Sequence, residues 1–175
     1  MLFFIIIKEK SERIKNKNFL KIGNLEMWKH LVKSLKKHKV FIDTDSKKII
    51  KDCKRLFPWV TPYKRDKKFI SLEKSRKASP TLSMIKNFLT KYVNNDNEII
   101  VTTHVTSPFI KIKTIKNAIK KLKNYDSVAA VTKDYNFAWV KNKSNKLIPI
   151  NFNPRVVTKT QNLNPIIQSN GAFFI

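Results

Sequence analysis

Basic side chains are concentrated directly after the first apolar run of the chain. Residues 2–7 are all apolar, and Lys8, Lys10, Arg13 and Lys17 follow them closely. Ammonium and guanidinium groups donate charge-assisted hydrogen bonds to phosphate oxygens, so this spacing suits a polyphosphate ligand. An ordinary solvated loop after a core strand would have the same composition. The stretch alone does not decide between these two interpretations.

Polar clusters also follow two later apolar runs. Residues 43–46 read Asp-Thr-Asp-Ser after the apolar run 40–42. Residues 103–108 read Thr-His-Val-Thr-Ser-Pro after the predicted strand 98–102, whose residues 99–101 are apolar. Asp, Thr and Ser are also typical of loops and helix N-caps, so each cluster has a purely structural interpretation. Their shared position, directly after an apolar run, indicates one common edge.

The elements that would position these clusters alternate between strand and helix. The patterns predict strands at 2–7, 40–42, 98–102, 127–132 and 172–175, helices at 25–37, 47–56, 80–92 and 114–123, and a hairpin at 139–152. Between them, residues 57–77 contain two prolines and predict a long irregular loop. Ser79 is the predicted N-cap of the helix that follows. This alternation is typical of an α/β fold with a parallel, doubly wound sheet, in which ligands bind beyond the carboxyl ends of the strands.

Composition limits the class of protein further. The chain has 175 residues, 42% hydrophobic content and a formal net charge of +25, which indicates one folded domain with a strongly basic surface. Abundant Lys, Asn and Ile with only two Gly indicate codon bias toward A and T, which we favour over selection for nucleic acid. One cysteine excludes an internal disulfide, and no apolar run reaches the ~20 residues of a membrane span. We therefore expect a cytoplasmic protein without membrane association.

The residue types of these clusters, and their order along the chain, resemble the motifs of one family, the acylneuraminate cytidylyltransferases (CMP-sialic acid synthetases). Residues 7–18 are similar to the family's loop Ala-Arg-Gly-Gly-Ser-Lys-Arg-Ile-Pro-x-Lys-Asn, and residues 43–46 to its Ser-Thr-Asp-Ser. Residues 103–109 resemble Leu-Gln-Pro-Thr-Ser-Pro-Leu, and residues 159–165 and 170–174 resemble Arg-Arg-Gln-Asp-Leu-Pro-Pro and Asn-Gly-Ala-Ile-Tyr. The resemblance covers essentially the whole chain in order.

This resemblance implies a Rossmann-like, three-layer nucleotide-diphospho-sugar transferase fold with a mostly parallel sheet. It also implies transfer of CMP from CTP to the anomeric hydroxyl of an acidic 2-keto-3-deoxy sugar, with release of pyrophosphate and with Mg²⁺ as cofactor. The implied catalytic residues are Lys8, Arg13 and Lys17. The implied nucleotide-binding residues are these three together with Ser11, Asn18, Arg65, Ser79 and Thr81. The implied sugar-binding residues are His104, Thr106, Ser107, Gln161 and Asn170.

Several positions depart from the family pattern. The paired glycines of the first loop are Glu9-Lys10, which reduces close approach of backbone amides to phosphate. The clamping Arg is Lys8, which lacks a bidentate fork. The sugar-site Gln is His104, which we interpret as a polar substitution more readily than as a catalytic base. The family's acidic Asp-Ile-Asp segment has no counterpart, so we expect no metal ligand within residues 1–175 and expect acidic ligands beyond Ile175.

The resemblance implies a single domain over residues 1–175, incomplete at its C-terminal end, and a homodimer formed through a hairpin or insert at residues 137–166. Two alternatives to the transferase stay open. One is a basic module that binds nucleic acid or another polyanion, for which a steep dependence on salt would be expected. The other is a relative that keeps the fold without catalysis.

Overall fold

The computed structural model of the chain describes residues 1–11, 14–75, 79–156 and 158–175. Its strands, in chain order, are β1 (Leu2–Ile7), β2 (Lys21–Ile22), β3 (Leu25–Glu26), β4 (Lys39–Thr44), β5 (Val60–Lys64), β6 (Ile100–Thr103), β7 (Ala129–Asp134), β8 (Trp139–Lys141), β9 (Leu147–Pro149) and β10 (Ile166–Phe174). Its helices are α1 (Met27–Ser34), α2 (Lys47–Leu56), α3 (Lys67–Ser75), α4 (Thr81–Tyr92) and α5 (Ile112–Ile119). Short 3-10 helices lie at Lys17–Phe19, Lys120–Lys123 and Thr160–Asn162.

The main sheet has the strand order β5-β4-β1-β6-β10-β7. Strand β1 pairs in parallel with β4 and β6, in registers that place Ile7 opposite Thr44 and Ile5 opposite Thr103. Strand β5 continues the parallel arrangement beside β4, whereas β10 runs antiparallel to β6. The prediction of an α/β fold with a mostly parallel sheet is therefore confirmed.

The core lies on both faces of β1. Successive side chains of a strand point to opposite faces, and Phe3, Phe4 and Ile5 are each at most 1% exposed. On one face Phe4 stacks on Phe88 of α4, with ring centroids 4.3 Å apart. A strand covered on both faces is the reason for the continuous apolar run at residues 2–7.

Two compact units make up the chain. The first comprises Met1–Val128 and Ala172–Ile175, and the second comprises Ala129–Gly171. Within the second unit β8 and β9 form the predicted hairpin, whose turn has Asn145 in a left-handed conformation (φ 64°). The prediction of a single domain with a dimerisation hairpin at 137–166 stays a prediction.

The irregular loop predicted at 57–77 is wrong. Strand β5 and helix α3 occupy most of it. Pro62 is tolerated because β5 stands at the end of the strand order, where one edge of the strand needs no ladder partner. Helix α4 begins at Thr81 instead of at Pro80, although the Ser79 hydroxyl still accepts from the Thr81 amide (3.4 Å).

A short hairpin before α1 was also missed. Strands β2 and β3 are joined by a two-residue turn in which Gly23 has a φ of +61°. A glycine at the first central position suits this type of hairpin turn because the position requires a positive φ. As for membranes, the described part of the chain contains no helix with the length and apolar character of a span.

Candidate functional site

The carboxyl ends of the parallel strands bring the predicted clusters to one edge of the sheet. Lys8 follows β1, Asp45 follows β4, Arg65 follows β5 and His104 follows β6. These strands are direct neighbours in the order β5-β4-β1-β6. The sequence-based prediction that the polar clusters share an edge is therefore confirmed for Lys8, Asp45 and His104, and the structure adds Arg65 to that edge.

Direct hydrogen bonds fasten the loop after β1 to the loop after β4. The Glu9 amide donates to Asp45 Oδ1 (2.7 Å), and the Ser46 hydroxyl donates to Glu9 Oε1 (3.3 Å). Ser46 is also the N-cap of α2, where its oxygen accepts from the Ile49 amide (3.4 Å). The start of the loop after β1 (residues 8–18, called the basic loop below) is thus held against the N-terminus of a helix.

Buried polar atoms of the basic loop have hydrogen-bonding capacity to spare. Asn18 is 3% exposed, and its Nδ2 donates to the Lys8 carbonyl (2.8 Å), which fixes the orientation of the amide. Its Oδ1 and the hydroxyl of Ser11 are buried without a hydrogen-bond partner among the described residues. Such atoms carry a desolvation cost unless a ligand or water meets them. The loop is therefore suited to a polar ligand.

Arg65 is the centre of a buried ion-pair cluster. Its Nε donates to Asp43 Oδ1 (2.6 Å) and its Nη1 to Glu73 Oε2 (3.1 Å). Its Nη2 donates to the carbonyls of Ile7 and Asp43 (3.3 Å each). The Arg65 side chain has no exposed surface. This geometry gives Arg65 a positioning role at the ends of β1 and β4, and its predicted contact with cytosine stays a prediction.

The carboxyl of Asp43 illustrates the electrostatics of that cluster. Burial raises the pKa of Asp43, and the hydrogen bond and charge of Arg65 oppose that rise. The negative charges of Glu73 and Asp66 add to the rise. Asp43, predicted to be part of a polar edge or a helix cap, serves here as a buried counter-ion.

Lys8 also contacts this cluster, through a residue that the sequence analysis missed. Its Nζ lies 3.4 Å from Glu73 Oε1, so one carboxylate meets both Lys8 and Arg65. Glu73 belongs to α3, in the segment predicted to be an irregular loop. The apolar residues Phe69, Ile70 and Leu72 were a helical signal there, which the prolines upstream obscured.

A cavity of about 290 Å³ opens between the start of α4 and the ends of β1, β6 and β10. It contains the predicted nucleotide residue Thr81 and the predicted sugar residue His104, so the structure brings these two together. The remaining lining is mostly apolar and consists of Phe4, Ile6, Leu82, Ile85, Thr102, Thr103 and Phe174. Such a mixture of apolar walls and few polar groups is typical of small-molecule sites.

The pKa of the His104 imidazole lies below its ordinary value. Desolvation lowers the pKa of His104, and the positive charge of Lys17 lowers it further. His104 is exposed as a whole, but its position at the cavity explains the desolvation. Lys17 and His104 therefore interact electrostatically.

The other predicted site residues are distributed over both units. Thr106 and Ser107 lie in the turn after β6, where the Ser107 amide donates to the His104 carbonyl (3.0 Å). Gln161 lies in a 3-10 helix and Asn170 in β10, both within the second unit. Arg13 lies outside the described residues. The assignments of all these side chains to substrates stay predictions.

A metal site does not form from the part of the chain that the structure describes. Among those residues no group of three His, Cys, Asp or Glu side chains is placed to hold an ion. Two carboxylates at this edge of the sheet, Glu9 and Asp45, already accept protein hydrogen bonds. The described residues therefore do not fit Mg²⁺, and no chemical step is assigned to it.

Comparison with known proteins decides the family. A family model described as cytidylyltransferase matches residues 5–149 of this chain. The chain belongs to the cytidylyltransferase family. No curated protein matches it. The matched residues include the basic loop, the Arg65 cluster and the β8–β9 hairpin, so the family assignment covers most of the candidate site.

Solved structures show the same fold at low sequence identity. A CMP:2-keto-3-deoxy-manno-octonic acid synthetase complexed with CTP matches with a TM-score of 0.63 and 12% identity, over 99% of this cytidylyltransferase and 72% of that chain. A 4-diphosphocytidyl-2C-methyl-D-erythritol synthase from Anaerococcus prevotii DSM 20548 matches with a TM-score of 0.62 and 14% identity, over 99% and 68%. A cytidylyltransferase from Leptospira borgpetersenii serovar Hardjo-bovis (strain JB197) matches with a TM-score of 0.52 and 16% identity, over 76% and 52%. At these identities the matches establish the fold alone.

Proposed function

We propose that this cytidylyltransferase is of the acylneuraminate type and transfers CMP from CTP to an acidic 2-keto-3-deoxy sugar. The observation that carries the proposal is the basic loop after β1: Lys8 and the buried Asn18 sit beside one another, linked by a 2.8 Å hydrogen bond, at the carboxyl edge of a parallel sheet. Ligands of open α/β sheets bind at that edge. The resemblance of residues 7–18 to the nucleotide loop of acylneuraminate cytidylyltransferases gives the site its substrate.

In this reaction the anomeric hydroxyl oxygen of the sugar attacks the α-phosphorus of CTP. The new phosphorus–oxygen bond forms as the bond to the bridging oxygen of the β-phosphate breaks, pyrophosphate leaves, and the proton of the attacking hydroxyl is released to solvent. Catalysis of such a step is mainly positioning and stabilisation of charge on phosphate oxygens. Lys8, Arg13 and Lys17 would supply the positive charge, and Ser11 and Asn18 would hydrogen-bond the nucleotide.

The cavity beside the loop is proposed to receive the base and the acceptor. Thr81, together with Ser79, is assigned to the cytosine side, and His104, with Thr106 and Ser107, to the sugar side. Arg65, whose side chain is fully buried, acts on this site only by positioning the ends of β1 and β4. A neutral His104 ring both donates and accepts a hydrogen bond, which suits sugar hydroxyls. For Gln161 and Asn170 a contact with the sugar is implied by the resemblance alone.

The partner is proposed to be a second copy of the chain. The β8–β9 hairpin exposes large apolar side chains: Trp139 is 51%, Leu147 is 62% and Ile150 is 53% exposed. A two-stranded hairpin is marginally stable by itself, and an exposed apolar patch is typical of an interaction surface. The resemblance assigns this region to dimerisation.

Calorimetry with CTP tests the proposal, and ³¹P NMR follows the chemistry. We expect CTP to bind and Lys8→Ala to weaken binding by about tenfold or more, as for loss of a charge-assisted hydrogen bond. Lys15→Ala is the matched control, since Lys15 is an exposed lysine of the same loop without an assigned role. Incubation with CTP, Mg²⁺ and N-acetylneuraminic, legionaminic, pseudaminic or KDO-type sugars should yield pyrophosphate and a CMP-sugar with one of them.

Two results would contradict the proposal. Absence of CTP binding would remove the nucleotide, and equal affinity of Lys8→Ala and wild type would remove the loop from the site. CTP binding without any CMP-sugar would favour the relative that keeps the fold without catalysis. Tight binding of DNA or RNA at physiological salt, with a steep salt dependence, would favour the polyanion-binding alternative.

A further inference from the structure

The Glu73 carboxylate is shared by two cations at the end of β1. One oxygen lies 3.4 Å from Lys8 Nζ and the other lies 3.1 Å from Arg65 Nη1. Its side chain is 12% exposed. A carboxylate with a different cation on each oxygen, and little contact with water, is held in one orientation.

The two cations differ in their freedom to leave that carboxylate. Arg65 is fully buried and is fastened by Asp43 (2.6 Å) and by the Ile7 carbonyl (3.3 Å). The Lys8 side chain is 41% exposed and carries a flexible four-carbon stem. Lys8 is therefore the member of the cluster that can exchange one partner for another, while Arg65 keeps Glu73 in place.

The charges of the cluster are balanced before a ligand arrives. Lys8 and Arg65 carry two positive charges, and Asp43 and Glu73 carry two negative charges when ionised. A triphosphate brings several negative charges and would compete with Glu73 for the one ammonium that is free to move. Close approach of phosphate to Glu73 itself is unfavourable, so the ammonium must turn away from the carboxylate.

We infer that Glu73 is a positioning residue that holds Lys8 as a counter-ion at the end of β1, and that the triphosphate takes Lys8 over from it. This inference rests on the proposed function, because it takes Lys8 to be a phosphate-binding residue. Glu73 acts through Lys8 and does not contact substrate. The net affinity for the ligand is then lower, because the attraction between Lys8 and phosphate must offset the cost of separating Lys8 from Glu73.

Binding of CTP and of inorganic tripolyphosphate, measured by calorimetry, tests the inference. Glu73→Gln removes the competing charge at nearly constant volume, and we expect it to bind both ligands three- to tenfold more tightly than wild type. In steady-state assays KM for CTP should fall while kcat does not rise. Asp66→Asn is the matched control, because it removes one carboxylate that pairs with Lys91 (3.6 Å), and it should bind like wild type.

A second variant guards against misfolding, since Glu73→Gln also weakens the contact with buried Arg65. Glu73→Asp keeps a carboxylate for Arg65 but is one methylene shorter, so it should loosen Lys8 and tighten ligand binding in the same direction. In a Lys8→Met background the Glu73 substitutions should have a much smaller effect on tripolyphosphate binding, because only the direct repulsion between Glu73 and phosphate remains; a double-mutant cycle measures this coupling.

The inference is overturned if folded Glu73→Gln and Glu73→Asp bind tripolyphosphate no more tightly than wild type. It is overturned equally if the gain is undiminished with Lys8→Met, or if Asp66→Asn shows the same gain. If wild type binds tripolyphosphate but not CTP, the proposed function is contradicted. The role of Glu73 is then decided by the tripolyphosphate measurements alone. Binding of neither ligand by wild type would overturn both.

Discussion

Removal of Arg65 is the most severe perturbation that the structure predicts at this site. Arg65→Met would leave Asp43 ionised or protonated at 1% exposure without the cation that now lies 2.6 Å away. It would also remove a donor from the Ile7 carbonyl and from Glu73. Loss of one partner of a buried ion pair costs about 3–5 kcal/mol, out of a total stability of about 5–15 kcal/mol. For a chain of this size the same loss lowers Tm by roughly 6–20 °C.

Urea denaturation followed by fluorescence of the fully buried Trp28 measures this loss. Arg65→Lys should lose about half as much, because an ammonium keeps the charge and cannot reproduce the four contacts of the guanidinium. The double variant Asp43→Leu/Arg65→Met should recover much of the stability, since it removes the whole pair instead of one partner. The reasoning is refuted if Arg65→Met unfolds within about 1 kcal/mol of wild type, or if the double variant is as unstable as the sum of its single variants.

Three further predictions concern the loop, the cap and the hairpin. Lys17→Ala should raise the pKa of His104 toward its ordinary value in an NMR titration, because the Lys17 charge is one cause of its lowering. The contribution of His104 to the free energy of unfolding is present above the ordinary pKa of histidine and is lost as the pH falls toward the lowered pKa of the folded protein. An unchanged titration would place Lys17 away from the ring. Ser46→Ala should cost about 1 kcal/mol in urea denaturation through loss of the α2 cap, and a neutral effect would contradict the assigned cap. Trp139→Lys should convert the proposed dimer to a monomer in sedimentation, and an unaltered mass would remove the hairpin from the interface.

The parts of the fold that were predictable from sequence are those with a local signal. Helix α2 has the predicted bounds, since Ser46 provides a cap and the apolar spacing that follows is helical. Strand β1 has the predicted bounds because an apolar run of that length is typical of a strand covered on both faces. In β5 and α3 the local signal pointed the other way, because Pro62 argued against a strand and only the position of β5 at the sheet edge makes it acceptable.

The site was predictable to the extent that topology alone determines it. Parallel strands place Lys8, Asp45 and His104 at one edge whatever their side chains do. The pairing of Asp43 with Arg65, and of Glu73 with Lys8, joins residues far apart in the chain, and no local pattern encodes it. The edge of the sheet was therefore predictable from the sequence, whereas the partner of each charged side chain could be identified only from the structure.

The departure at Glu9-Lys10 has a consequence for how any phosphate is held. The Glu9 amide already donates to Asp45 Oδ1, and the Glu9 carboxylate accepts from Ser46. These groups of Glu9 are therefore bonded within the protein and do not face a ligand with free hydrogen-bonding capacity. Among the described residues, positive φ angles occur at Asn16, Asn145 and the two glycines, and not at Glu9 or Lys10. A phosphate at this edge would thus depend on side-chain cations more than on backbone amides. The Lys8 ammonium lies 3.4 Å from Glu73 Oε1, so the contribution that Lys8 would make to such binding depends on how readily it leaves that carboxylate.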